Sequence, residues 1–180
     1  MKKLYFVRHG ESEFNKANKW AGSSDTPLTK DGHEQAKRTG KELKKQGLAF
    51  DIIISSPLER AHNTAKHIAT ELDYPHDKIL IHDMVTERNF GNLEGNKDLL
   101  SATRYFVDES SIDSNDGAET LNELQQRAED LLSYLHALPH DTILVVGHGA
   151  SGRALRRAVT KGPLNVRGKN IGNAEIVRFI

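Results

Sequence analysis

Short apolar runs alternate with longer segments of helical periodicity along this chain, and that alternation constrains its fold more than any other feature. Leu4 to Val7 reads as a short buried strand that stops at a polar, Gly-containing turn, Arg8 to Glu13. Residues 29–46 read as a helix, with Thr29 as N-cap and Gly47 as its stop. Ile52-Ile53-Ile54 is β-branched and bounded by Asp51 and Ser55-Ser56-Pro57, which predicts a second strand. Pro57 is expected at the first turn of the next helix, where a missing N–H costs nothing. That helix carries Leu58, Ala61, Ala65, Ile68 and Leu72 on one face. Ile79 to Ile81 is a third short strand. Leu121, Leu124, Ala128, Leu131 and Leu135 form a helical stripe, Thr142 to Val146 a strong strand, and a helix follows through about Val159. Residues 174–180 make a last strand.

Strands alternating with helices predict an α/β chain with three layers, α/β/α, around a mostly parallel central sheet. At 180 residues the expectation is one domain spanning residues 1–180. The segment at about 84–117 is irregular and a candidate lid, with a short helix expected near 98–107 and a Ser/Asp-rich piece at 108–116.

Composition limits the partners. Lys+Arg number 25 and Asp+Glu number 25, so no whole-molecule field exists to steer a polyanion, and nucleic acid is not an expected partner. A small anion needs only a local basic site. Cysteine is absent, which excludes a disulfide framework, a thiolate metal site and a catalytic thiol. The apolar run after Met1-Lys2-Lys3 ends at Arg8, too short for a signal peptide or membrane span. A cytoplasmic protein with no membrane partner is therefore expected.

Parallel sheets bind ligands beyond the carboxyl ends of their strands. Three polar clusters lie at such ends: Arg8-His9-Gly10, Ser55-Ser56-Pro57 with Arg60 one turn on, and Gly147-His148-Gly149. If their strands are neighbours, two histidines and two arginines meet at one sheet edge. That set suits a phosphoryl group, whose transfer depends on positioning and electrostatic stabilisation. Arginine binds phosphate through a planar fork. A neutral imidazole attacks phosphorus, and its ordinary pKa near 6.5 keeps it available at neutral pH. Gly10 and Gly149 allow backbone N–H groups to approach an oxyanion. Alone the triplet is weak, since Arg-His-Gly arises by chance in about 2% of chains this long; its force comes from occurring together with the other two clusters.

The ordered motifs resemble the histidine phosphatase superfamily, also called the phosphoglycerate mutase-like family. They are Arg8-His9-Gly10-Glu11-Ser12 with Asn15, then Pro27-Leu28-Thr29 with Gly32 and Gln35-Ala36. Ser55-Ser56-Pro57-Leu58-Glu59-Arg60-Ala61 with Thr64-Ala65 follows. Glu87-Arg88-Asn89-Phe90-Gly91-Asn92-Leu93-Glu94-Gly95, Gly117-Ala118-Glu119-Thr120 and Val146-Gly147-His148-Gly149 complete the series. The resemblance implies a phosphoglycerate mutase-like fold. It implies that His9 is phosphorylated and then dephosphorylated, that Arg8, Arg60 and His148 hold the phosphoryl oxygens, and that Asn15 adds a donor. It also implies that Glu87 is the general acid and then the base; Asp83 and Glu94 lie close enough in sequence to compete for that role. Gly149, Ser24 and Arg88 are further candidate substrate-binding residues, and no metal or cofactor is required. Glu11 is open between the site and a cap near the helix at residues 29–46. The seven remaining histidines, among them His33, His62 and His67, show no ligand spacing, and His62 and His67 are expected at the surface.

The family implies either of two reactions on a small phosphorylated metabolite. Hydrolysis of a phosphomonoester is favoured because mutases of the family tend to be longer. A mutase stays open because Arg88 could bind a substrate carboxylate. A non-catalytic phospholigand-binding module is the third reading. Trp20 to Asp25, the 88–116 segment and the residues near Arg167 to Asn173 are the expected specificity determinants. Trp20 could instead be a packed loop tryptophan.

Overall fold

The computed structural model describes residues 2–97, 117–162 and 170–180. Its centre is a five-stranded sheet in the order β3-β2-β4-β1-β5, with β1 at Lys3–Arg8, β2 at Ile52–Ser55, β3 at Leu80–Ile81, β4 at Thr142–Gly147 and β5 at Ile176–Arg178. The pairs β1–β4, β4–β2 and β2–β3 are parallel, and β5 runs antiparallel along β1. The helices are α1 (Glu13–Lys16), α2 (Lys30–Lys45), α3 (Glu59–Glu71), α4 (Leu121–Ala137) and α5 (Gly149–Thr160).

Strand side chains alternate between faces, so each β-branched run feeds two cores. Leu4, Phe6, Ile52, Ile54, Ile143 and Val145 pack on one face with Leu131 and Leu135 of α4 and Leu155 of α5. Tyr5, Val7, Ile53, Leu144 and Val146 pack on the other with Leu43 of α2 and Ala65, Ile68 and Ala69 of α3. Each fully buried aliphatic side chain stabilises by about 1.5–3 kcal/mol. This is the expected layering of helices on both faces of a mostly parallel sheet.

Thr29 caps α2 as expected, its hydroxyl accepting from Gly32 N–H, and Gly47 follows the helix at a φ of 69°. Pro57 does not open α3. Ser56 is still hydrogen-bonded to β4 through Val146 O, so the chain first turns and the helix begins at Glu59 behind the N-cap Leu58. Leu58 offers no side-chain cap. Asp25, from a distant loop, accepts from Glu59 N–H at 2.9 Å instead. The third strand is a residue shorter than expected at its start, because His76–Lys78 forms a 3-10 turn. The last strand is confined to Ile176–Arg178. The expected helix near 98–107 and the Ser/Asp-rich piece lie outside the described residues, as does most of the candidate lid; its described part holds 3-10 turns at Asp83–Val85 and Gly91–Leu93. No helix among the described residues is long and apolar enough to cross a membrane.

Gly152 lets α5 lie against β1. A Cβ there would stand 2.5 Å from the Phe6 ring, which is buried between β1 and α5 and stacks on Phe179. We expect Gly152→Ala to cost about 1–3 kcal/mol by overpacking, read as a lower denaturant midpoint with an unchanged slope.

Candidate active site

Strand register assembles the site. Arg8 lies opposite Gly147, and Ser55 opposite Val146, so β1 and β4 end level with one another and β2 ends one residue earlier. His9 N–H then donates to Gly147 O at 2.9 Å and Ser56 N–H to Val146 O at 3.0 Å, which carries the alignment one residue beyond the strands. The His9 and His148 rings lie 5.0 Å apart, both buried. The structure therefore brings together all three clusters that the sequence placed at strand ends.

His9 Nδ1 contacts Gly10 O at 2.6 Å. A carbonyl only accepts, so Nδ1 carries the ring proton and Nε2 is left with its lone pair. Burial holds His9 well below the ordinary imidazole pKa, and the positive Arg60 and Arg8 add to this, against the opposing effect of the Gly10 carbonyl. His148 is held down by burial, then Arg60, then His9. Both rings are neutral at physiological pH.

The arginines are braced by backbone carbonyls. Arg8 Nη1 donates to Ile171 O at 2.9 Å. Arg60 is fully buried, and its Nη1 and Nη2 donate to Ser24 O and Gly22 O, each at 2.7 Å. Among the described residues, Arg8 Nε, Arg60 Nε and His148 Nδ1 are buried without a hydrogen-bond partner. An unmet buried polar group costs about 1–3 kcal/mol. Three of them lie on residues of one strand-end cluster, where an acceptor-rich ligand would satisfy them.

Glu87 is the carboxylate that the fold brings to this cluster. It accepts from Ala150 N–H and Ser151 N–H at the start of α5, at 3.1 and 3.0 Å, and from Arg88 N–H at 2.9 Å. Burial lowers the pKa of Arg8 and Arg60, and Glu87 is the leading opposing influence on both. The two competitors go elsewhere. Asp83 is exposed in a 3-10 turn. Glu94 accepts from Ser23 N–H, Ser24 N–H, both of their hydroxyls and Phe90 N–H, knitting residues 22–24 to residues 90–94.

The remaining candidates divide. Asn15 Oδ1 accepts from Ser12 N–H at 3.2 Å and Asn173 Nδ2 at 3.1 Å, so its bonds among the described residues engage the oxygen rather than the amide N–H groups. Gly149 opens α5, and a Cβ on it would meet Arg8 Cζ at 3.7 Å. Gly10 N–H donates to Thr64 Oγ1 at 3.1 Å, so it is not the free anion donor that the sequence suggested. Glycine is needed there because a Cβ would stand 2.3 Å from Gly32 O. Ser24 spends its N–H and hydroxyl on Glu94 and supports the site through its carbonyl on Arg60. Arg88 is fully buried, with Nε donating to Glu119 O at 2.8 Å and its guanidinium 5.5 Å from the Phe90 ring centre. Glu11 Oε1 accepts from the hydroxyl of Thr29, the α2 cap, so the capping alternative describes its contacts. Trp20 packs edge-on against Phe90 at 4.6 Å. His67 is not a free surface residue. It is partly buried, and its Nε2 pairs with His33 Nδ1 of α2 at 2.8 Å. His62 is partly buried too, with Nδ1 lacking a partner.

Three contributors had no individual role in the sequence reading. Asn173 Nδ2 bridges His9 O and Asn15 Oδ1, each at 3.1 Å. Beside it Ala174, at a φ of 55°, donates its N–H to Arg8 O and His9 O. Asn173 fell only within a stretch expected to tune specificity; Arg167 to Lys169 of that stretch lie outside the described residues. Arg153 follows Gly149 by four residues, and helical spacing brings it over the same face near Arg8. Burial lowers its pKa while Glu87 opposes that effect. The i, i+4 step from Gly149 was a signal for it.

The chain is 39% identical over 167 residues to a 2,3-bisphosphoglycerate-dependent phosphoglycerate mutase of Brucella canis, covering 87% of this chain and 80% of that protein. It is also similar to a crystal structure of phosphoserine phosphatase from Entamoeba histolytica in complex with 3-phosphoglyceric acid. That match has 28% identity and a TM-score of 0.80, and covers 99% of this chain and 90% of that one. A mycobacterial glucosyl-3-phosphoglycerate phosphatase shares the fold at 22% identity and a TM-score of 0.85, over 99% of this chain and 92% of that one. The family model of the histidine phosphatase superfamily (branch 1) matches residues 4–179, and the chain belongs to that family.

Proposed function

We propose that this protein is a metal-independent phosphatase that hydrolyses a small phosphomonoester through a phosphohistidine on His9. The observation that carries the reading is the state of the His9 ring: buried, neutral, with Nδ1 tied to Gly10 O and Nε2 left as the nucleophilic atom. In the first step the Nε2 lone pair attacks phosphorus, the bond to the alkoxide oxygen breaks, and Glu87 gives that oxygen its proton. In the second, Glu87 takes a proton from water as the water oxygen attacks phosphorus. The P–N bond breaks and inorganic phosphate leaves. Arg8, Arg60 and His148 offer their unpartnered nitrogens to the phosphoryl oxygens in both steps. Asn15 adds its amide N–H, and Gly149 leaves the space beside the Arg8 guanidinium free of a side chain.

A mutase uses the same core and returns the phosphoryl group to a substrate hydroxyl. Identity of 39% to the Brucella canis mutase favours that reading, and 80% coverage of that protein makes chain length a poor discriminator. Arg88, the candidate for a mutase substrate's carboxylate, is fully buried, with its Nε donating to Glu119 O. The phosphoserine and 3-phosphoglyceric acid named with the Entamoeba histolytica structures make small phosphorylated carboxylic acids the first substrates to assay.

Incubation with labelled phosphomonoester and no added metal is expected to give an acid-labile phosphoenzyme that His9→Ala does not form; robust turnover by His9→Ala overturns the mechanism. Glu87→Gln should lower kcat by about 10²–10⁴-fold on an alkyl phosphate, and much less on an activated aryl phosphate whose leaving group needs no proton. Equal losses on both substrates would remove Glu87 as the acid. With 3-phosphoglycerate as substrate, inorganic phosphate is the expected product, and accumulation of the isomeric phosphoglycerate instead moves the protein to the mutase reading.

A further inference from the structure

His148 faces a choice that His9 does not. Its Nε2 lies 2.8 Å from Ser56 Oγ, a hydroxyl that can either donate or accept. Ser56 and His148 are both 0% exposed, so no solvent arbitrates. A hydroxyl has one proton and two lone pairs. One lone pair of Ser56 Oγ already accepts Leu58 N–H at 3.2 Å, in the turn that delays α3. The neighbouring Ser55 hydroxyl is spent on Ser56 O at 2.9 Å. Among the described residues, His148 Nε2 is the one hydrogen-bond acceptor within reach of the Ser56 proton.

The two possible arrangements differ in what they leave unmet. If Nε2–H donated to Ser56, the Ser56 proton would have no acceptor in a dry site, a cost of about 1–3 kcal/mol. His148 Nδ1 would then be a bare lone pair, repelled by any phosphoryl oxygen. If Ser56 donates to Nε2, the hydroxyl is satisfied. The proton of the neutral ring must then sit on Nδ1, the buried atom for which the described residues supply no partner.

We propose that Ser56 is a positioning residue that fixes the tautomer of His148, holding its proton on Nδ1 so that the neutral ring donates to a phosphoryl oxygen. The inference rests on the phosphoryl-transfer reading of the site and deepens it. His9 and His148 become a complementary pair. Gly10 O pins the proton of His9 to Nδ1 and bares Nε2 for attack, while Ser56 clears Nε2 of His148 and arms Nδ1. Burial beside Arg60 keeps the second ring from taking a further proton, so the tautomer rather than the charge decides what it offers.

Heteronuclear NMR of histidine-labelled protein reads the tautomer directly in the resting state. We expect Nδ1 of His148 protonated and Nε2 unprotonated in the wild type, retained in Ser56→Thr and lost in Ser56→Ala. Ser56→Ala should lower kcat by about 10–100-fold, with KM changed less, because the donor to the transition state is no longer guaranteed; Ser56→Thr should recover most of it. A wild-type ring protonated on Nε2 overturns the proposal. So does a Ser56→Ala protein that loses stability but keeps both the Nδ1–H tautomer and wild-type kcat. The NMR readout needs no turnover, so failure of the phosphohistidine reading, seen as turnover by His9→Ala, is told apart from failure of this one.

Discussion

Placement of β4 between β1 and β2 is the constraint on which everything else in this molecule depends. Parallel pairing puts the carboxyl ends of three strands side by side, and the register leaves no stagger between Arg8 and Gly147 or between Ser55 and Val146. The residues just past the three strands therefore emerge within one residue of the same level. A slip of one residue would exchange the two faces of the strand and send Val7 and Val146 to the wrong core. The packing that stabilises the sheet is thus the same packing that sets the distance between His9 and His148.

The site is expensive for the fold to hold. Arg60 and two imidazoles are buried in one cluster with the partly buried Arg8, and Glu87 is the leading counter-charge that the described residues supply to both arginines. Neutral imidazoles reduce the charge that must be kept out of water. The arginines are fixed by carbonyls of Gly22, Ser24 and Ile171, which brace them without cancelling their charge. The cluster is thereby left electropositive toward a phosphoryl dianion, with its donors already oriented.

Strands, helix faces and the strand-end clusters were legible because they are written in local periodicity. Leu4 and Phe6 part from Tyr5 and Val7 by alternation alone, and the stripe from Leu121 to Leu135 names its own buried face. What was not legible depends on contacts made across long stretches of chain. Pro57 seemed placed to start a helix, but the Ser56 bond to β4 keeps the backbone extended past that point. Glu94 looked like a rival acid until the loop at Ser23 and Ser24, some 70 residues away in sequence, was seen to occupy it. Asn173 carried no motif and acquires its role by folding back onto His9.

That fold-back ties the chemistry to the order in which the chain is made. His9 precedes Asn173 by 164 residues, yet its carbonyl is held by Asn173 and Ala174, and β1 is flanked by β4 and β5, both of which follow it in the chain. Loop-closure entropy has to be met across that span before these contacts reward it. A nascent chain therefore holds the His9 segment without its sheet partners until β4 and β5 have been made. Trimming residues beyond Ile171 would strike His9 as surely as a substitution beside it.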